Sequence, residues 1–136
     1  MKTSILPFDD VFDIAADGVP VVKRTLIIRG MPLVPGARCR AGFRFAGTDI
    51  SEHIDQPLVV FEHADHLEFL GFASYTPDKP NKGWVKGWGV VEKHTHSLHS
   101  FFPTQEQAEE VQRNLGDGFE VVYGSKRIGS NDDFVY

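Results

Sequence analysis

The fold is decided within residues 84–124, which read WVKGWGVVEKHTHSLHSFFPTQEQAEEVQRNLGDGFEVVYG. This stretch predicts a strand, a histidine-bearing connection, one helix at 104–115 and a return strand. Thr104 followed three residues later by Gln107 is the signature of a capping box, and Gly116 is a natural helix stop. The apolar stripe of this helix consists of Ala108, Val111 and Leu115. The unit therefore predicts one short helix packed on a sheet.

Strict alternation marks residues 37–46 as the best strand by pattern. One face carries small and apolar side chains, namely Ala37, Cys39, Ala41, Phe43 and Phe45. The other face carries Arg38, Arg40, Gly42 and Arg44. A period of two is typical of a strand with one side on a core and the other in water.

Other strands are predicted at 21–29, 58–62, 67–76, 84–93 and 119–123. Together they predict an α+β fold with a single, mostly antiparallel, twisted sheet of about six strands. The helix at 104–115 packs against that sheet. By length, residues 1–136 form a single domain.

Composition limits the compartment and the class of protein. The single cysteine, Cys39, excludes an intramolecular disulfide framework and favours a reducing compartment. No run of residues is long and apolar enough to span a membrane, and Asp9 and Asp10 interrupt any secretory signal. We therefore expect a cytoplasmic protein that does not enter the membrane.

The net charge of −5 is distributed unevenly. Residues 18–48 contain six basic side chains and no acidic one, which gives +6, whereas residues 1–17 carry −3 and residues 49–136 carry −8. The acidic total disfavours a general nucleic-acid-binding role, since such proteins are usually basic. The basic segment still permits a local anion-binding face.

An arginine-lined sheet face is the leading candidate site. It consists of Arg38, Arg40 and Arg44 on one strand, joined by Arg24 from a neighbouring strand. Guanidinium groups bind phosphates and carboxylates through paired hydrogen bonds. The alternative is internal ion pairing with acids on adjacent strands, such as Glu62, Glu68 or Glu120.

Trp84 and Trp88 are the second candidate, because a regular strand places both on one face. Exposed, they would form an interface or a stacking platform. Phenylalanine-rich cores also bury tryptophans, so a role in the core is the competing interpretation.

The histidines are the third candidate. On a strand, His94 and His96 lie on the same face about 6.6 Å apart. A third ligand could come from His99, or from the turn of His63, Asp65 and His66 if the sheet brings it alongside. Zinc or iron could bind such a set. The alternative is a polar strand end that leads into the helix.

These observations favour a small non-enzymatic binding or accessory protein that needs no cofactor. Its partner is a protein or a small anionic ligand held by the arginine face, and the oligomeric state stays open. A catalytic function is disfavoured because the sequence has no nucleophile elbow and no phosphate-binding glycine loop. The second hypothesis is a metal-dependent enzyme that uses His94, His96 and His99 with zinc or iron.

Overall fold

The computed structural model describes residues 3–75, 83–128 and 134–136. Within these ranges the chain forms eleven strands, two α-helices and one 3-10 helix. In chain order they are β1 (Thr3–Leu6), α1 (Phe8–Val11), β2 (Phe12–Ile14), β3 (Pro20–Val22), β4 (Leu26–Ile28), β5 (Met31–Leu33), the 3-10 helix (Ile50–His53), β6 (Leu58–Glu62), β7 (Leu67–Phe72), β8 (Trp84–Glu92), β9 (Leu98–Phe102), α2 (Gln105–Leu115), β10 (Phe119–Arg127) and β11 (Phe134–Val135).

These strands build two larger sheets and one small pair. The five-stranded sheet has the order β1-β6-β7-β4-β5, and the four-stranded sheet has the order β11-β10-β8-β9. β2 pairs with β3. Among the described strands, neighbours run antiparallel except β4 and β7, which are parallel.

The prediction of a single sheet of about six strands with one packed helix is wrong, because the described chain forms three sheets. β6 shows the physical reason. Leu58 and Val60 pack in one core cluster, whereas Val59 packs in another with Val85 and Phe101. A strand that buries both faces needs a layer on each side, and one short helix cannot supply the second layer.

The helix predicted at 104–115 is confirmed as α2 (Gln105–Leu115), with Thr104 at its N-cap. The Thr104 hydroxyl accepts a hydrogen bond from the Gln107 amide at 3.4 Å. The Gln107 side chain, however, donates to the Leu70 carbonyl at 3.0 Å, so it fastens α2 to β7. Only one of the two hydrogen bonds of the predicted capping box is therefore made. In a complete box, the Gln107 side chain would also accept a hydrogen bond from the Thr104 backbone amide.

α2 packs on the four-stranded sheet through a narrower stripe than predicted. Ala108 is fully buried in a cluster with Val90 and Phe102, and Val111 packs against the same cluster. Leu115 remains 38% exposed. None of the helices in the described ranges is long and apolar enough to cross a membrane.

Candidate anion-binding loop

The three arginines predicted on one strand lie in a loop, because residues 37–46 do not form a strand in the structure. Two isolated strand-like bridges remain, Arg38 with Val21 of β3 and Phe45 with Thr48 of the same loop. Beyond Arg38, the backbone turns at Gly42 and again at Ala46. The prediction of an arginine-lined sheet face is therefore wrong. The arginines lie instead in a loop that connects β5 to the 3-10 helix.

The first half of this loop is fixed to β3. The Val22 amide donates to the Ala37 carbonyl at 2.9 Å, and the Cys39 amide donates to the Pro20 carbonyl at 2.8 Å. Cys39 is fully buried, and burial together with the nearby Asp49 charge raises the pKa of its thiol to about 11. The thiol is therefore protonated at neutral pH and acts as a small core side chain.

The buried carboxylate of Asp49 fixes the second half. Asp49 is 6% exposed and accepts hydrogen bonds from the Gly42 amide at 2.9 Å and the Ser51 amide at 3.0 Å. The Ser51 hydroxyl adds a third bond at 2.6 Å. The Ser51 hydroxyl and then the Gly42 amide are the main reasons why the pKa of Asp49 lies below its ordinary value. The same carboxylate also caps the 3-10 helix, so one side chain orients both segments.

A tight turn then brings the chain back. Phe45 and Thr48 exchange backbone hydrogen bonds of 2.8 and 3.0 Å. The two residues between them, Ala46 and Gly47, have φ angles of 50° and 89°, as a type I′ turn requires. Phe45 packs against the first core cluster, which leaves Phe43 outside, 62% exposed and 6.2 Å from the Phe45 ring.

The structure divides the four predicted arginines into two kinds. Arg38 forms an ion pair with Asp17, and Arg24 lies 3.9 Å from Glu62. The side chains of Arg40 and Arg44 are exposed, and neither makes a hydrogen bond or ion pair with another residue the structure describes, although the Arg44 charge helps to lower the pKa of Asp49. Arg40, Phe43 and Arg44 are exposed residues of one turn, in which the Phe43 amide donates to the Arg40 carbonyl at 3.1 Å, and they are here called the basic loop tip.

Trp84 and Trp88 lie on the same face of β8, because the register with β10 is regular from end to end. Trp88 packs against the buried cluster of Val90, Phe102 and Ala108, and its ring lies 4.9 Å from that of Tyr123, which is 53% exposed. Both tryptophans are half-buried. Trp88 thus belongs partly to the core, and the binding role of the pair stays a prediction.

The predicted histidine cluster is dispersed. His94 and His96 lie in the turn between β8 and β9, and His99 lies on β9, where its Nδ1 is 3.1 Å from the Ser100 hydroxyl. The described part of the chain contains no group of three His, Cys, Asp or Glu side chains that could hold a metal ion. These residues therefore do not fit a zinc or iron centre.

A cavity that the sequence did not suggest lies beneath α2. It has a volume of about 200 Å³ and is lined mainly by Phe61, Phe102 and Val111, with His99 and Asn114 among its polar walls. Its walls come from β6, β9 and α2, so no local sequence pattern predicts it.

Comparisons with protein families, with characterised proteins and with solved structures found no match.

Acid should release the second half of the loop. Because the pKa of Asp49 is lowered in the folded protein, the ionised carboxylate stabilises the loop fully above its ordinary value of 3.8. That contribution is lost as the pH falls through the lowered pKa. The amide NMR resonance of Gly42 should therefore shift only below pH 3.8. The amide of Gly36, which donates to the Val22 carbonyl, is the control and should not follow it. A Gly42 transition above that pH would contradict the role of Asp49.

Proposed function

We propose that this protein is a small binding protein that captures an acidic segment of a partner protein through the basic loop tip. The observation that carries this proposal is the exposed pair Arg40 and Arg44 on either side of Phe43. The partner is anionic, as the sequence predicted, but its proposed binding site is a loop and not a sheet face. The lone cysteine fits the cytoplasm as the place of action.

The chemistry of the three side chains supports an acidic protein partner. Each guanidinium can donate two parallel hydrogen bonds to one carboxylate. An exposed aromatic ring between two arginines adds apolar contact, and arginine and aromatic residues are enriched among the residues that dominate binding energies. The net charge of −5 makes a nucleic acid the less favoured anion.

The fixed conformation of the loop supports tight binding. The Asp49 hydrogen bond to Gly42 and the turn at Ala46 and Gly47 hold the backbone on either side of Arg44 before any partner arrives. Ordering a flexible loop opposes association, so a loop already fixed in one conformation loses less free energy on binding. The loop is therefore suited to recognition without rearrangement.

Removing both arginines should abolish most of this binding. A fluorescently labelled peptide of alternating glutamate and leucine is the probe, and fluorescence anisotropy is the measurement. We expect Arg40→Ala/Arg44→Ala to weaken binding by about tenfold or more, since each lost charged hydrogen bond contributes about 1.5–3 kcal/mol. Binding to the unaltered protein should also weaken as salt rises.

The matched control is Arg29→Ala/Arg113→Ala, which removes the same charge from two other exposed positions. It should keep the affinity, and both double variants should change the free energy of unfolding by less than about 0.5 kcal/mol per site. Equal loss of affinity in the two double variants would mean that only net charge attracts the peptide. No binding by the unaltered protein would equally refute the proposal.

A further inference from the structure

A pair of stacked histidines closes the turn between β6 and β7. The His63 amide donates to the His66 carbonyl at 2.9 Å, which brings the two side chains to the same side. Their rings stack with centroids 4.4 Å apart and planes inclined by 16°. Nδ1 of His66 lies 2.6 Å from the Asp65 carboxylate. Parallel rings point their nitrogens in similar directions, which does not suit convergence on a single metal ion.

The pair forms one wall of a cleft of about 230 Å³. Arg24 and Thr25 also line the cleft. The Leu67 amide donates to the Thr25 carbonyl at 2.9 Å, at the start of the parallel pairing of β4 with β7. The parallel pair therefore brings an arginine and two imidazoles to the same cleft.

The charge of this cleft depends on the histidines. Around it lie the cation Arg24 and the carboxylates of Asp65 and Glu62, the latter 3.9 Å from Arg24. With neutral imidazoles the sum is −1, and with both protonated it is +1. The other charged neighbours, Lys23 and Glu68, do not line the cleft, and Lys23 lies 3.7 Å from Asp13.

We propose that this cleft is a second binding site, which takes a tetrahedral oxyanion of the sulfate or phosphate class when His63 and His66 are protonated. Arg24 makes no hydrogen bond with the residues that the structure describes, since 3.9 Å to Glu62 is too long for one. Its N–H groups can therefore donate to the anion. Protonated His63 lines the same cleft and can donate to the same anion, and the anion offsets the repulsion between the two stacked imidazolium rings.

Protonation and anion binding must then assist each other. Histidine changes its charge between pH 5 and 8 under ordinary conditions, so the site should be filled in mild acid and empty in mild base. The hydrogen bond from His66 is the main reason why the pKa of Asp65 lies below its ordinary value. This site is separate from the basic loop tip and does not depend on its function.

Sulfate is the probe of choice, because its charge stays constant over this pH range. We expect calorimetry to show binding about tenfold or more tighter at pH 5 than at pH 8, as two added charges face the anion. His63→Ala should reduce the pH dependence, because only His66 then changes charge, and Arg24→Gln should weaken binding at acid pH. His94→Ala, at an exposed turn position, is the control and should behave like the unaltered protein.

Two further arms define the ligand and separate this site from the loop. The variant Arg40→Ala/Arg44→Ala should keep pH-dependent sulfate binding, so failure of one proposal leaves the other intact. O-phosphoserine should bind more tightly than sulfate if the natural ligand is a phosphorylated side chain, and no better if it is a free anion. Binding that is absent at pH 5, or that is equal in His63→Ala and the unaltered protein, would overturn the proposal.

Discussion

Replacing Phe101 by alanine should lower the free energy of unfolding by about 3–5 kcal/mol, the range typical of a buried phenylalanine. Phe101 is 0% exposed and lies in a cluster with Ile5, Val59 and Val85, where the two larger sheets meet. Truncation would leave a void that neither sheet can fill without moving. Urea unfolding monitored by circular dichroism measures the change.

Phe43→Ala is the matched control for this variant. It removes the same side chain from a position that is 62% exposed, so it should cost less than about 0.5 kcal/mol. If the two substitutions shift the urea midpoint equally, Phe101 does not occupy the junction between the sheets.

The second large effect is expected at Gly87, where a side chain has no space. A Cβ atom at this position would lie 2.7 Å from Cε1 of Phe101 and 2.7 Å from the Phe102 carbonyl oxygen. The second contact is to the backbone of β9, which cannot rotate away. Gly87→Ala should therefore destabilise the protein by about 1–3 kcal/mol or more.

Gly118→Ala is the control for Gly87→Ala, because a Cβ atom there would meet nothing within 4 Å. It should leave the urea midpoint almost unchanged. Adding Phe101→Leu to Gly87→Ala should reduce the loss caused by the new methyl group, as measured in a double-mutant cycle. A Gly87→Ala protein as stable as the Gly118→Ala protein would show that the sheets pack less closely than described.

The elements that the sequence predicted well are those specified by residues that lie close together in the chain. α2 was predictable because its cap at Thr104 and its stop at Gly116 are encoded within a few residues. β6 matches the predicted 58–62, since a short apolar run bounded by polar residues suffices to mark a strand. β8 was predicted to within one residue for the same reason, whereas β10 continues four residues beyond the predicted 119–123, to Arg127.

Elements that depend on distant partners were not predictable. Residues 37–46 alternate as a strand does, yet a strand also needs a neighbouring strand to pair with, and these residues make only two isolated bridges, Arg38 with Val21 and Phe45 with Thr48. The predicted strand at 21–29 divides into β3 and β4, because residues 23–25 leave one sheet and enter another. Gly87 and Gly89 allow close packing, and the irregularity in β8 lies at Val90 and Val91 opposite β9.

The sequence predicted the composition of the candidate site but not its geometry. Residues 18–48, with six basic residues and no acid, contain the proposed site. Which arginines lack an ion pair depends on Asp17, and the loop backbone depends on Asp49; sequence alone does not reveal that Asp17 binds Arg38 and Asp49 holds Gly42. The described residues bring no three potential ligands together around His94 and His96, which lie in and beside the turn between β8 and β9.

The contacts of β1 with distant residues affect how the chain folds during its synthesis. β1 pairs with β6, more than fifty positions later, and the Thr3 hydroxyl accepts a hydrogen bond from the Phe101 amide across 98 positions. A nascent chain cannot complete these contacts until β6 and then Phe101 have been synthesised. Contacts between such distant residues slow folding, because the intervening chain must first be brought together. Until then β1 lacks its partner strand, and its unpaired edge is a place where chaperones or neighbouring chains can bind.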